Sequence, residues 1–353
     1  MSGAPAGGVE RQAERLAGVL ARNRADQCAV FSRNAARADR FNALGVAPIE
    51  IDFPGRFNFL DRRRINGHIR RFAPDIVISW TPDVAPFVQK ASFVHLGRLG
   101  AALGDLSLLS KCDHLFTPAA ARADAALAAG WSGQQLHVLP HLPMLAEELA
   151  IPPINRKSVY TPPTAKLILT SMRLKRNNGL ETLLDAFARI SGTYLWIAGD
   201  GADREVLEAA AHERGVKPRV RFLGWQDRMA PYLAACDVFV YPAKHEDVGD
   251  AVIEAWAAGA PVIAADTLGP GLLIRHKENG LLVPVGDAVS MAEAIKWMIQ
   301  DKELPRKLSA AGKKAFDESF AMDKVAPQYI DLLARLTANP LTANPSTAQN
   351  AGP

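Results

Sequence analysis

Asp237-Val-Phe-Val-Tyr241, followed after a short gap by His245-Glu-Asp-Val-Gly249-Asp-Ala-Val-Ile-Glu254-Ala-Trp-Ala-Ala-Gly259-Ala-Pro261-Val-Ile-Ala264, carries the reading of the fold. The first five residues are an apolar run of strand length. A polar loop follows, and then a short apolar helix that Gly259 and Pro261 bring to a stop, since glycine just past a helix end and proline shortly after cannot continue it. Val262-Ile263-Ala264 is a buried strand. Asp250 or Asp247 is expected to cap the helix, because a short carboxylate accepts from open backbone N–H groups. Glu246 then lies on the loop and Glu254 in the first turns, both beside a helix N-terminus whose dipole favours anions.

The same strand–helix alternation extends in both directions. Lys166-Leu-Ile-Leu-Thr-Ser171 is a strand; Leu180, Leu183, Leu184, Phe187 and Ile190 recur at helical spacing. Tyr194–Ala198, a helix over 203–214, Val220–Leu223, and a short helix near 229–235 lead to Asp237–Tyr241. Helices near 288–299 and 303–318 precede an amphipathic stretch ending at Leu336. Short apolar strands alternating with helices imply parallel sheets covered on both faces. In the first half a helix over 9–21 follows Gly7-Gly8. Strands are predicted at Cys28–Phe31, Pro48–Ile51, Asp75–Ser79, Phe93–His95, His114–Phe116 and Leu136–Leu139. A doubly wound domain should begin with a strand feeding its first glycine-rich turn. Only Met1-Ser-Gly-Ala-Pro-Ala6 precedes Gly7-Gly8-Val9-Glu10, so the first strand is either shortened or encoded upstream of Met1.

The bulk properties are compatible with two domains of ordinary size. The chain has 353 residues, 48% of them hydrophobic, and a formal net charge of +4, too small to imply nucleic acid by itself. Cys28, Cys112 and Cys236 are widely spaced, which suits reduced thiols and no metal-ligand spacing. With no leader and no membrane-length apolar run, the expectation is a cytoplasmic protein. Arg56, Arg62, Arg63, Arg64, Arg70 and Arg71 cluster with only Asp61 opposing them. This stretch is either a solvated helix face or a peripheral contact with an anionic inner-membrane surface. The expected boundaries are 1–145 for the first domain, 146–163 for a proline-rich linker, 164–336 for the second domain and 337–353 for a disordered repeat tail.

Two glutamates eight positions apart, a preceding His245, and the sequences Ala255-Trp-Ala-Ala-Gly259-Ala-Pro-Val-Ile-Ala-Ala265 and Gly280-Leu-Leu-Val-Pro284 together resemble the retaining GT-B glycosyltransferases of the family 4 type, most strongly over residues 160–335. The resemblance implies an α/β fold of two Rossmann-like, doubly wound parallel-sheet domains facing an interdomain cleft, with acceptor recognition in the first and donor recognition in the second. It implies transfer of a sugar from a nucleotide-diphosphate sugar to a glycan or lipid-linked acceptor with retention, in cell-envelope polysaccharide or lipopolysaccharide synthesis. It implies no resident metal or cofactor.

Carried onto this sequence, the family pattern makes Glu254 the ribose binder, since one carboxylate can accept from both hydroxyls of a vicinal diol. Glu246 orients the donor sugar and stabilises developing positive charge; it is not a nucleophile, and front-face return with the phosphate as base is the implied route. Arg173 faces the diphosphate. The lysine expected five residues later is replaced by Asn178, leaving Lys175 or Arg176 as the nearest cation. Gly249, Leu268 and Gly269 offer backbone N–H groups to phosphate, although Leu272 stands where relatives often carry a glutamate. In the resemblance a histidine at the place of His95 reaches the donor sugar from the first domain, and its reading as the end of a strand fits that role, since strand C-termini bind ligands in open α/β sheets. Gly7 and Gly8 allow close backbone approach to donor or acceptor. The departures at Asn178 and Leu272 keep an inactive partner or scaffold protein as the alternative. A dehydrogenase, suggested by Gly199-Asp-Gly201, lacks a G-x-G-x-x-G after an N-terminal strand.

Overall fold

The computed structural model describes residues 7–51, 59–100, 105–176 and 178–338. Twelve strands lie among them: β1 (Cys28–Ser32), β2 (Ala47–Ile51), β3 (Ile76–Ser79), β4 (Val94–Arg98), β5 (His114–Thr117), β6 (Leu136–Val138), β7 (Lys166–Ser171), β8 (Thr193–Ala198), β9 (Val220–Gly224), β10 (Val238–Tyr241), β11 (Val262–Ala265) and β12 (Leu281–Val283). Eleven of them overlap a strand read from the sequence, β12 being the addition, and the ladders between them are parallel.

The chain divides into two compact units. One comprises the described residues to Leu142 and those from Asp323 onward; the other runs from Pro143 to Met322. The last helix, Met322–Ala338, therefore returns to the first unit. There Tyr329 Oη donates to Pro140 O at 2.9 Å and its ring meets Phe116 edge-on. Apolar periodicity alone places this helix at the end of the second domain, because spacing along a chain carries no information about which sheet a helix covers. The tail beyond residue 338 and Arg56 both lie outside the described residues.

The second unit has a six-stranded sheet in the order β9-β8-β7-β10-β11-β12. Its first strand is central and the chain winds outward in both directions, the doubly wound arrangement. Leu167, Ile168 and Leu169 of β7 are wholly buried, as are Leu180, Leu183, Leu184 and Phe187 of the helix Leu180–Phe187 that covers it. Residues 146–163, expected as a linker, pack on this unit. Arg156 donates to Ala235 O and Asp237, Ile154 N to Pro231 O, and Thr161 accepts from the buried Trp196 indole at 2.9 Å. Prolines stop regular structure without preventing packing, and buried indole and backbone groups need these partners.

The first unit contains a two-stranded sheet, β1-β2, and a four-stranded sheet, β3-β4-β5-β6. The helix Gly8–Arg22 buries Ala13, Leu16, Ala17 and Val19 on one stripe, which explains the helical spacing in that segment.

Candidate functional site

In an open parallel sheet the crevice for a ligand lies beyond the strand C-termini where the winding direction reverses. In the second unit that point falls between β7 and β10. The loops after β7, β10 and β11 meet there. Gly179, at φ +97°, packs directly on the carbonyl of Pro242, so a side chain at 179 would collide with backbone. A Cβ at Gly269 would lie 2.6 Å from Val248 backbone atoms, and Gly269 N donates to Glu246 O at 2.8 Å.

The loop before the helix Asp250–Ala257 is organised around the Glu246 carboxylate. Its Oε1 accepts from Val248 N at 3.0 Å and Gly249 N at 3.2 Å, and its Oε2 accepts from Tyr241 Oη at 2.7 Å. Burial, then Glu246, and then Asp250 and Glu254 hold the Tyr241 phenol well above its ordinary range, so it stays a donor at any working pH. Tyr241 is a candidate site residue that the sequence reading missed. Its signal was a tyrosine closing an otherwise aliphatic buried strand, since a buried hydroxyl needs a partner.

Helix Asp250–Ala257 is capped by Gly249 at φ +83°, not by Asp250 or Asp247. Asp250 is already the first helical residue, because the chain enters through a left-handed turn that favours glycine. At the far end Gly259 N reaches Trp256 O and Ala260 N reaches Ala255 O at 2.9 Å, a Schellman closure that bears out Gly259 as the stop. Glu254 is half-buried on this helix, close enough to Tyr241 to act on its ionisation.

Arg173, Lys175 and Arg176 are exposed on the loop after β7, and Asn178 Nδ2 donates to Arg173 O at 3.3 Å. Asp203 holds this loop by accepting from Arg176 N at 2.7 Å. Gly199 and Gly201 pack against the Met172 and Leu174 backbone, so the Gly-x-Gly of the dehydrogenase reading serves loop packing. Leu268 and Leu272 are exposed, Gly269 is buried, and the Thr267 hydroxyl is buried without a hydrogen-bond partner. The structure thus brings Glu246, Glu254, Gly249 and Gly269 into one constellation, with Arg173 and Lys175 on the adjoining loop. Among the described residues, no group of three or more His, Cys, Asp or Glu side chains could hold a metal.

The first unit corrects the positional argument for His95. Strand β4 continues to Arg98, so His95 is its second residue and not its end. The ring is 3% exposed, 2.8 Å from Ser79 Oγ and 3.7 Å from Cys112 Sγ, and burial lowers its pKa to about 4 against the opposing pull of Asp113. The residue at the strand end is Arg98, whose guanidinium meets His141 at 3.2 Å. Gly7 is buried and extended against the Glu10 carboxylate; Gly8 is exposed with open space around it.

Residues 153–315 match the profile of the family described as glycosyl transferases group 1. The chain is 33% identical over 335 residues to the lipopolysaccharide core biosynthesis glycosyltransferase LpsE of Rhizobium meliloti, covering 93% of this chain and 96% of that one. It is 31% identical over 278 residues to LpsD of the same organism, covering 78% and 80%. Among solved structures, Anabaena Alr3699/HepE in complex with UDP-glucose superposes with a TM-score of 0.80 at 18% identity, over 95% of this chain and 98% of that one.

Proposed function

Because the chain belongs to the group 1 glycosyl transferases, retaining family 4 enzymes with the GT-B fold, we propose that it adds a sugar from a nucleotide-diphosphate donor to the lipopolysaccharide core. Similarity to LpsE and LpsD over most of both chains supports that acceptor class. The UDP-glucose of the HepE complex supports a UDP-sugar as the first donor to try.

The observation that carries the reading is the three-point hold on the Glu246 carboxylate at the start of the helix Asp250–Ala257. With two bonds at Oε1 and one at Oε2, the carboxylate is fixed in direction and keeps acceptor capacity at Oε2. It orients a sugar hydroxyl and stabilises positive charge at the anomeric carbon as the leaving group departs. Glu254 accepts from the ribose diol. Arg173 and Lys175, with the backbone of Gly249, Leu268 and Gly269, take up charge on the leaving diphosphate. The departing phosphate then accepts the proton of the acceptor hydroxyl on the same face, which gives retention. Gly7 and Gly8 border the acceptor side. His95, neutral and enclosed, keeps a role in the packing of the first unit.

The helix Phe59–Phe72 exposes Arg63, Arg64, Arg70 and Arg71, two adjacent pairs seven residues apart and so on one helical face, while Asp61 is buried. This face suits contact with an anionic membrane surface next to a lipid-linked acceptor. Among the described residues no helix is long and apolar enough to cross a membrane.

Calorimetry with a panel of nucleotide sugars tests the assignment. One donor should bind, with Glu254→Ala weakening the free nucleotide about tenfold to a hundredfold, the scale of a lost charged hydrogen bond. Glu246→Ala should spare nucleotide binding and abolish transfer. A chain that binds none of the panel would be a scaffold.

A further inference from the structure

Tyr160, in the second unit, combines a left-handed backbone with a large aromatic side chain in open solvent. Its φ is +49° and its ψ +41°, and it is 83% exposed. The backbone has a local cause. The short helix Arg156–Val159 closes with Tyr160 N on Lys157 O at 3.1 Å and Thr161 N on Arg156 O at 3.0 Å, the paired bonds of a Schellman turn. That reversal brings the buried Thr161 to the indole N–H of Trp196. Glycine is the residue such a position favours, because a Cβ in the left-handed region crowds the neighbouring carbonyl.

The side chain of Tyr160 gives the fold little in exchange. Lys277 also has a positive φ, but its ammonium gains a place 5.5 Å from the Trp297 ring centroid. At 83% exposure the Tyr160 ring adds little packing. Backbone strain kept for an exposed aromatic ring points to a contact outside the chain.

The neighbouring groups suit a sugar. Arg221 Nη2 donates to Tyr160 O at 2.7 Å, and the same guanidinium lies 5.3 Å from the centroid of the half-buried Tyr194 ring. Lys157, Pro162 and Pro163 are exposed on either side of Tyr160 in the chain. A pyranose presents C–H groups to the negative face of an aromatic ring and hydroxyls to donors at its rim. Lys157 and Arg221 add positive charge for a phosphate or carboxylate on the same glycan. Tyr194 and Arg221 are the second residues of β8 and β9, so they stand at the strand N-termini, whereas the donor crevice lies beyond the strand C-termini. Roughly 13 Å of strand separates the two places.

We propose that Tyr160, with Tyr194, Arg221 and Lys157, forms a second glycan-binding surface, remote from the donor crevice, that holds an anionic oligosaccharide of the acceptor. The choice of a glycan rests on the glycosyltransferase reading above. A tether of this kind raises the local concentration of a long acceptor without touching the reacting groups.

The test is calorimetry of the full chain with delipidated lipopolysaccharide core oligosaccharide, beside thermal unfolding. Tyr160→Gly should melt at the same temperature or up to about 2 °C higher, since the strain is relieved. It should bind the oligosaccharide about tenfold more weakly, the scale of one aromatic contact, with nucleotide affinity unchanged. Tyr160→Trp should restore the affinity. Phosphatase treatment and carboxyl reduction of the probe distinguish the two anions; full affinity after both would overturn the role given to Lys157 and Arg221. Equal oligosaccharide affinity in Tyr160→Gly and the parent chain would overturn the surface itself. So would a melting point lowered by more than about 2 °C, which would make the ring a packing group. Loss of phosphatidylglycerol-vesicle binding in Tyr160→Gly with oligosaccharide binding intact would also reject it, making the surface a membrane contact. Failure of the parent chain to bind any nucleotide sugar is a separate result, and it would sink the glycosyltransferase reading instead.

Discussion

Tyr241 Oη donates to Glu246 Oε2 at 2.7 Å from inside the core of the second unit, joining the end of a buried strand to the loop that starts the helix Asp250–Ala257. The loop is thus anchored from below by a side chain as well as from beside by the Gly269–Glu246 backbone bond. A phenol that burial and three neighbouring carboxylates keep protonated is a fixed donor, and a fixed donor gives the carboxylate a fixed direction.

Replacing that donor should cost turnover more than affinity. Tyr241→Phe removes one hydrogen bond and leaves Val248 N and Gly249 N on Oε1. Stability should fall by about 1 kcal/mol, the usual net value of one such bond. If Glu246 acts at the anomeric centre as proposed, the bond orients it there, and kcat should fall roughly tenfold, equivalent to about 1.4 kcal/mol of barrier, with donor KM little altered. Steady-state kinetics beside thermal unfolding read both; an unaltered kcat would leave Tyr241 a packing residue.

Asn178 stands on the loop of Arg173 and Lys175, bonded only weakly to Arg173 O at 3.3 Å. Asn178→Lys adds a cation beside the proposed diphosphate seat without removing a buried contact. Affinity for the nucleoside diphosphate should rise about threefold to tenfold at low salt and the gain should shrink as salt rises, since exposed charges are screened over roughly 10 Å at 0.1 M. Calorimetry at two ionic strengths checks it, and equal affinities for the two proteins would place the diphosphate elsewhere.

Acid should weaken the first unit before it affects the second. His95 has a native pKa near 4 against an ordinary 6.5. Between those values the unfolded chain takes up a proton that the native state refuses, so stability is full above 6.5 and is lost as pH falls toward 4. The slope is up to about 1.4 kcal/mol per pH unit for one group. His137, lowered to about 4 by burial, His114 and Arg335, acts in the same direction. Urea unfolding of His95→Gln between pH 4.5 and 7.5 should show a slope flatter by about one proton; the same slope in both proteins would mean the imidazole is charged in the fold.

The exposed arginine face of the helix Phe59–Phe72 can be tested independently of catalysis. Reversing Arg63, Arg64, Arg70 and Arg71 to glutamate should abolish sedimentation with phosphatidylglycerol vesicles at low salt. Each basic residue near such a surface contributes about 1 kcal/mol. Transfer to a short soluble acceptor should persist. Vesicle binding that survives all four changes would make the face a solvated one.

Much of the fold was legible in the residues because local rules generate it. Short apolar runs gave eleven of the twelve strands, the 3.6-residue spacing of Leu180, Leu183, Leu184 and Phe187 gave a buried helix face, and Gly259 with Pro261 marked a helix end. The misreadings came where a second segment decides. Asp250 lost the capping position to Gly249 because the entry turn is left-handed. His95 moved inside β4 because Leu96–Arg98 pair with His114–Phe116. Residues 146–163 became part of the second unit through Arg156 and Thr161, whose partners are over thirty residues away.

The sequence by itself determined two parallel-sheet units, the place of eleven of the twelve described strands, and a pair of glutamates flanking a helix start, because periodicity, turn chemistry and capping act over a few residues. Only the tertiary structure decided which loops share a site, that Tyr241 hydrogen-bonds Glu246, and that the last helix belongs to the first unit. Those relations depend on backbone approach and on burial between distant segments, and burial is a property of the assembled chain.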